Sequence, residues 1–168
     1  ALLVILVGGK VKALVVFEDL ATGAPRLACG VGEKVCVFDP VAGGEALVVL
    51  EGHTQKVMAL AAFTDPATGE PRLVSASGEV SVGDVRVWNP AASDAAIEAE
   101  PEGHSKDVRA LVTFVEPATG ALRVATGSKD KTIRVWDAET GGALIVIDVG
   151  SEVWALVFFV DPATGVPR

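Results

Sequence analysis

One eight-residue phrase recurs four times along the chain, and it constrains the fold more than any other feature. The copies span Asp19–Arg26, Asp65–Arg72, Glu116–Arg123 and Asp161–Arg168, and each has Ala-Thr-Gly at its centre. Their glycines lie 46, 51 and 45 residues apart, at Gly23, Gly69, Gly120 and Gly165. A sustained period of this length is typical of stacked units that cannot bury their apolar faces alone. The sequence therefore predicts a repeat fold.

Each repeat reads as four short strands, which we call a, b, c and d. In the third repeat they are Val108–Val115, Leu122–Thr126, Thr132–Trp136 and Ala143–Ile147, separated by turns rich in Gly, Pro and Asp. The alanine-rich stretch at 91–96 lacks helical spacing and lies in a loop flanked by Pro and Ser, so no helix is predicted. Strands buried on both faces fit sheets stacked on like sheets. We expect an all-β fold of four-stranded antiparallel propeller blades.

The third repeat also carries motifs that resemble a known family. Gly-His at 103–104 is followed by Gly-Ser-Lys-Asp at 127–130 and by Ile-Arg-Val-Trp-Asp at 133–137. Gly-His at 52–53 and Val-Arg-Val-Trp-Asn at 85–89 form a second, poorer copy. The pattern resembles the signature of the WD-repeat β-propellers, and it covers the chain as about three and a half repeats.

The resemblance implies a buried hydrogen-bonded chain in the third repeat, formed by His104, Ser128, Asp130 and Trp136. Indole N–H only donates, hydroxyl and neutral imidazole both donate and accept, and carboxylate accepts, so these groups can satisfy one another without water. The set also suggests a Ser-His-Asp catalytic triad, but a nucleophile needs an open face. We therefore expect a structural role for it.

The other repeats depart from this pattern. The second keeps His53, Ser77 and Trp88, has about three extra residues around 80–82, and offers Glu79 as a substitute carboxylate. The first has Gly9, Gly30, Gly32 and Phe38 at the four positions. The last partial repeat has Gly150-Ser151 and no His. We expect the first and last repeats to lack the network and to depend on apolar burial.

Aligning the repeats predicts where each blade begins and ends. Residues 1–9 are expected to form strand d of a preceding blade, and 10–51, 52–102 and 103–149 to form blades 1, 2 and 3. Residues 150–168 would begin blade 4. A ring needs more blades than this, so we expect part of a seven-bladed ring. A segment of a longer chain, half of a dimer and an open array stay open, and the isolated chain is expected to self-associate.

The resemblance also implies a binding surface, because partners of this family often dock on the channel rim formed by the d–a and b–c loops. Five basic residues in these loops outnumber Asp107 and Glu152, which gives a local net charge of +3. Arg, Trp and Met are enriched at interfaces, and the positive charge suits an acidic peptide. The predicted binding residues are Lys10, Lys12, Lys56, Met58, Arg109, Lys129 and Trp154.

Composition limits the other classes of function. A net charge of −8 disfavours nucleic acid as a partner, and the apolar stretch at 1–7 is too short to span a membrane. Cys29 and Cys36 are expected to be cross-strand neighbours with free thiols, as in a reducing cytoplasmic compartment. No metal-ligand spacing is present, so we predict no metal and no cofactor.

These features predict a non-catalytic protein–protein interaction scaffold with no catalytic residues. The alternative is an architectural subunit or a fragment of a larger propeller in a multiprotein assembly. A propeller hydrolase is less favoured, because both histidines lie in the structural motif and the chain has no tyrosine. A nucleic-acid-binding module is supported only by the basic rim.

Overall fold

Three four-stranded antiparallel sheets repeat along the chain in a computed structural model that describes residues 3–78, 83–91, 97–98 and 103–161. Each sheet takes its strands in sequence order. The first contains β1 (Val11–Asp19), β2 (Ala24–Val31), β3 (Lys34–Phe38) and β4 (Val48–Leu50). The second contains β5 (Val57–Thr64), β6 (Pro71–Ser77), β7 (Val85–Trp88) and β8 (Ile97–Glu98). The third contains β9 (Val108–Val115), β10 (Leu122–Ser128), β11 (Thr132–Asp137) and β12 (Ala143–Asp148).

The predicted fold class is confirmed, since every described element is a strand and each sheet is a four-stranded antiparallel unit. No helix in the described part of the chain is long and apolar enough to cross a membrane. The seven-bladed ring stays a prediction.

Two apolar cores join the sheets face to face. Between the first and second sheets, Val35, Val37 and Leu50 pack with Leu73 and Trp88. Between the second and third sheets, the core includes Val74, Val87, Val108, Val124 and Trp136. The middle sheet is therefore covered on both faces, which explains why its strands lack the apolar–polar alternation of a half-exposed sheet.

The recurring phrase closes each of the three described a–b hairpins with an ion pair. The acid at its start contacts the arginine at its end at 2.9 Å for Asp19–Arg26, 3.5 Å for Asp65–Arg72 and 2.8 Å for Glu116–Arg123. The three described glycines have φ of 67°, 73° and 71°, the left-handed region in which Gly carries no steric cost. The phrase is therefore a hairpin turn that is stabilised by an ion pair between its first and last residues.

The chain ends lie outside the three sheets. Residues 3–10 form no strand, and the strand d predicted for 1–9, which would pair with a strand of a preceding blade, stays a prediction. Within the first sheet, β1 pairs only with β2 among the described strands. Residues 150–161 contain one bridge residue, Val160, and lie against the third sheet, where Phe158 stacks on Phe114 with ring centroids 4.3 Å apart.

The outer face of the first sheet carries apolar side chains without cover. Leu14 is 58% exposed, and Val16 and Val49 are also exposed. Cys29 and Cys36 lie in the same row as Leu14 and are direct partners across β2 and β3, as the sequence predicted, with both thiols free. Burial raises the pKa of Cys29 to about 11, which makes this thiol a poor nucleophile. The open face is consistent with self-association, which stays a prediction.

Candidate functional site

A buried hydrogen-bonded chain links strands b and c of the third sheet to the segment before β9. The Trp136 indole donates to Thr126 Oγ1 at 2.8 Å, and His104 Nε2 lies 2.7 Å from the same oxygen. His104 Nδ1 lies 2.9 Å from Asp130 Oδ2. One consistent proton arrangement satisfies all four groups: Thr126 donates to Nε2, and Nδ1–H donates to the carboxylate. The network therefore uses neutral His104.

Electrostatics agree with this protonation state. Burial lowers the pKa of His104, and the neighbouring Asp130 only partly opposes that effect. Burial alone would raise the pKa of Asp130, but hydrogen bonds from Thr132 and His104 outweigh it and hold the pKa at about 2. A neutral imidazole beside an ionised carboxylate is the form expected at neutral pH.

The second sheet repeats the arrangement with different residues. The Trp88 indole donates to Ser75 Oγ at 2.7 Å. His53 Nε2 lies 2.5 Å from Ser75 Oγ, and His53 Nδ1 lies 2.7 Å from Asp84 Oδ1. Burial alone would raise the pKa of Asp84, but hydrogen bonds from His53, Ser77 and Arg86 hold it well below its usual range. Glu79, the predicted carboxylate, lies outside the described residues, and Asp84 is the acid that His53 contacts.

The prediction that Ser77 and Ser128 join the histidines to the tryptophans is wrong. Ser75 and Thr126 do so, two residues earlier on the same strands. Residues i and i+2 of a strand share a face, so the motif alone left both serines as candidates. Ser77 donates to Asp84, and Ser128 donates to the backbone carbonyl of Lys106. Both predicted serines support the network from its edge.

Aligning the repeats on the recurring phrase is enough to predict the two hydroxyl residues that bridge histidine and tryptophan. Ser75 and Thr126 each lie three residues after the arginine of the phrase, and Cys29 holds that position in the first sheet. Asp84 was harder to find, because it precedes β7 by one residue, whereas Asp130 lies in the turn before β11. The segment from Ser75 to Trp88 has three more residues than the matching segment of the third sheet, so alignment with Asp130 does not point to Asp84.

The arrangement of Ser75, His53 and Asp84 has the connectivity of a catalytic triad but not its access. Ser75 is 0% exposed, and its oxygen already accepts the Trp88 indole N–H. A nucleophilic serine needs a substrate carbonyl at its oxygen. Among the described residues, no cluster of three His, Cys, Asp or Glu could hold a metal ion. These contacts stabilise the sheets.

We expect stability to fall as pH is lowered from 7 to 5. The folded chain binds a proton at His104 less readily than the unfolded chain, since burial lowers this pKa below the ordinary value for histidine, 6.5. The unfolded state therefore holds more protons below that value, and stability decreases by at most about 1.4 kcal/mol per pH unit for this group. Urea unfolding at pH 5, 6, 7 and 8 measures the slope. A His104→Gln variant should lose most of it, and an equal slope in that variant would contradict the assignment.

The d–a and b–c segments meet at one end of the sheets. Lys129 N donates to Asp107 O at 3.0 Å, and Val153 N donates to Ser128 O at 3.0 Å. Val57 N donates to Gly32 O at 2.8 Å in the same way between the first two sheets. Each b–c turn is thus tied to a neighbouring d–a segment, and together these segments form a surface that we call the rim.

Strand a of each sheet carries a bulge at the rim. The register shifts around one residue in each case, namely Lys12 in β1, Met58 in β5 and Arg109 in β9. A bulge re-aims the side chain of its extra residue. Trp154 is the matching residue of the fourth repeat, because it follows Val153 as Arg109 follows Val108. Four of the seven predicted binding residues therefore occupy one recurring position.

Three of the predicted binding residues come together. The Arg109 guanidinium carbon lies 5.2 Å from the centroid of the Trp154 ring, and Lys129 Nζ lies 5.6 Å from it. Trp154 is 60% exposed. The exposed Lys10, Lys12 and Lys56 and the half-buried Met58 have no described contact with this ring. We call Arg109, Lys129 and Trp154, with Asp107 beneath them, the Trp154 cluster.

Comparison with protein families identifies one repeat directly. The family model described as "WD domain, G-beta repeat" matches residues 97–137, which include most of the third sheet.

Two curated relatives share part of the sequence. Zinc finger CCCH domain-containing protein 17 of Oryza sativa subsp. japonica is 38% identical over 52 residues, 31% of this chain and 11% of that protein. Zinc finger CCCH domain-containing protein 63 of Arabidopsis thaliana is 36% identical over 58 residues, 34% of this chain and 12% of that protein. The match therefore spans about an eighth or less of either relative.

Solved structures share the fold over most of the chain. A chain of the Chaetomium thermophilum Polycomb Repressive Complex 2 bound to GSK126 superposes with a TM-score of 0.62 at 25% identity, covering 79% of this chain and 28% of that one. A chain of the humanized mutant of that complex gives a TM-score of 0.58 at 25% identity, covering 77% and 27%. The matched repeat, the three like sheets and these structures show that the chain is similar to the WD-repeat β-propellers.

Proposed function

We propose that the chain is a non-catalytic interaction scaffold that holds a protein partner on its rim. The observation that carries this proposal is the exposed Trp154 with Arg109 and Lys129 against its ring. An exposed indole presents a large apolar area to water, and Trp and Arg are both enriched among the residues that contribute most binding energy at protein interfaces.

Rigidity supports the same surface. Backbone hydrogen bonds tie the described b–c turns to the neighbouring d–a segments, so a partner that docks there orders little additional chain. Three bulged side chains stand at one repeated place on this end. The opposite end carries near-identical hairpins whose charged side chains are satisfied by their own ion pairs.

The relatives support a role inside an assembly. The two solved structures named above are structures of a complex, Polycomb Repressive Complex 2. We infer that this chain also works through protein contacts, in the cytoplasm, without a cofactor.

A paired capture experiment tests the proposal. Tagged wild-type chain is compared with an Arg109→Ala/Trp154→Ala variant and with a Leu20→Ala/Val41→Ala control, whose substitutions remove two exposed apolar side chains at the hairpin end. Loss of an interface hot spot of about 2 kcal/mol weakens binding roughly 30-fold. We expect the rim variant to lose a protein that the wild type and the control both retain. Retention of all bound proteins by the rim variant would refute the proposal.

The second candidate is an architectural subunit that packs on further blades. It is favoured by the uncovered apolar face of the first sheet, where Leu14, Val16 and Val49 are exposed. Sedimentation velocity across a hundredfold range of concentration separates the two, since an architectural unit that needs a neighbour should self-associate when purified alone. A concentration-independent monomer would favour the scaffold.

A further inference from the structure

Two cations in the Trp154 cluster share one carboxylate oxygen. Arg109 Nη2 lies 2.5 Å from Asp107 Oδ2, and Lys129 Nζ lies 3.1 Å from the same atom. The Asp107 side chain is only 8% exposed, so the acid lies beneath the two cations and not beside them. Hydrogen bonds from both cations lower the pKa of Asp107 against the opposing effect of burial, and the carboxylate stays ionised.

The cations are not saturated by this single acid. A guanidinium has five N–H donors and an ammonium has three. Within the described part of the chain, Asp107 is the one hydrogen-bond acceptor for the Arg109 side chain and for the Lys129 ammonium. Two positive charges against one negative charge leave a net charge of +1 and several unused donors. The charge and the unused donors of the cluster therefore favour one more carboxylate.

The indole supplies the other half of a binding site. Trp154 is held in place because the preceding residue, Val153, donates its backbone N–H to Ser128 O at 3.0 Å. Its ring is more than half exposed, so an apolar side chain can pack on it without moving the cluster. Cations beside an aromatic face, next to an apolar contact, match a ligand that carries an acid and an apolar group close together.

We propose that the Trp154 cluster is the subsite that takes an acidic–apolar peptide segment of the partner, and that Asp107 limits its affinity by occupying part of the anion site. This inference rests on the proposed function and narrows it to three of the seven rim residues. A carboxylate of the partner pairs with Arg109 and Lys129, and the adjacent apolar side chain packs on Trp154.

Peptide is favoured over nucleic acid by the charges around the cluster. Asp107 lies within it, Glu152 lies two residues before Trp154, and the whole chain has a net charge of −8. These negative charges repel a phosphate backbone everywhere except at the two cations themselves. Trp154 is also the single aromatic in the cluster, whereas single-stranded nucleic acid is bound by several stacked rings.

The test uses a blocked hexapeptide, Glu-Glu-Leu-Glu-Glu-Leu, and its counterpart with Gln for every Glu. Trp154 reports binding by its own fluorescence, because Trp88 and Trp136 are buried and Trp154 alone is exposed among the tryptophans. We expect the acidic peptide to shift the red edge of the emission at low salt, and the Gln peptide to bind at least about fivefold more weakly. Equal binding of both peptides, or preference for a single-stranded oligonucleotide of the same length, would overturn the proposal.

Variants test the role of each residue. Asp107→Asn removes the competing charge with little change of shape and should tighten acidic-peptide binding about fivefold, as expected for one unit charge a few Å away at a partly screened site. Lys129→Ala should weaken binding by a similar factor, and Lys34→Ala, a matched change of an exposed lysine outside the predicted binding residues, should leave it unchanged. Weaker binding by Asp107→Asn, or equal loss in both lysine variants, contradicts the assignment.

The two proposals fail separately. If the capture experiment shows a rim-dependent partner but the acidic peptide does not bind, the Trp154 cluster takes a different ligand and the scaffold function stands. If the acidic peptide binds with the predicted variant pattern but no captured protein depends on the rim, the subsite stands and the scaffold function is wrong.

Discussion

Replacing Trp136 with alanine is expected to lower the free energy of unfolding by about 3–5 kcal/mol. Trp136 is 3% exposed and lies in the core between the second and third sheets. Its removal opens a cavity there, and it also leaves Thr126 without the indole donor. Urea unfolding followed by circular dichroism measures the loss.

Trp154→Ala is the matched control for that experiment. It deletes the same side chain from an exposed position, so its cost should lie within about 0.5 kcal/mol of zero, as for surface substitutions in general. A Trp136→Ala variant as stable as the wild type would contradict the buried network. A control that destabilises as much as Trp136→Ala would show that Trp154 belongs to the core and not to the rim.

Thr126→Val should destabilise the fold by about 2–4 kcal/mol, although it preserves the volume of the side chain. The change removes the hydroxyl that receives the Trp136 indole and contacts His104, and each buried partner left unsatisfied costs about 1–3 kcal/mol. No cavity contributes, so the loss measures the hydrogen bonds alone.

Two other variants separate the possible hydroxyls. Thr113→Val makes the same chemical change on β9, where the hydroxyl has no described hydrogen bond, and should be close to neutral. Ser128→Ala removes the contact with the Lys106 carbonyl and should cost about 1 kcal/mol. If Ser128→Ala destabilised more than Thr126→Val, the central hydroxyl would be Ser128 as the motif suggested, and the geometry described above would be wrong.

The sequence was most informative where the repeats agree. The phrase at Asp65–Arg72 and its copies marked the three described a–b hairpins, and strands b and c of the third repeat were placed to within two residues. Repetition makes this possible, because four copies of one turn show which residues its geometry requires. The architecture therefore followed from spacing and turn chemistry.

The sequence was least informative where two residues on the same face of a strand could both fill one role. Ser77 and Ser75 share a face of β6, and only the position of the Trp88 indole decides between them. The carboxylate of the second network moved to Asp84 across an insertion, which no spacing rule predicts. Residues 3–10 have an apolar pattern typical of a strand but no described partner strand, and pairing is not encoded in the pattern itself.

The sequence predicts the rim residues as members of neighbouring loops, but it does not predict that Arg109, Lys129 and Trp154 contact one another. Alignment placed Arg109 and Trp154 at one repeated position, but the bulge that re-aims strand a and the contact of both cations with one ring depend on three-dimensional packing. In the sequence alone, Asp107 is one negative charge among the rim residues. Its position beneath Arg109 and Lys129 makes it a residue that controls the site.

Hydrogen exchange measured by mass spectrometry, with and without the partner recovered by the wild-type chain, tests the central claim most directly. Binding on the rim predicts slowed exchange in the b–c turn at 128–131 and around 152–155, with the a–b hairpins at 65–70 and 116–121 unchanged. Protection confined to those hairpins, with the rim exchanging at its free rate, would contradict the account.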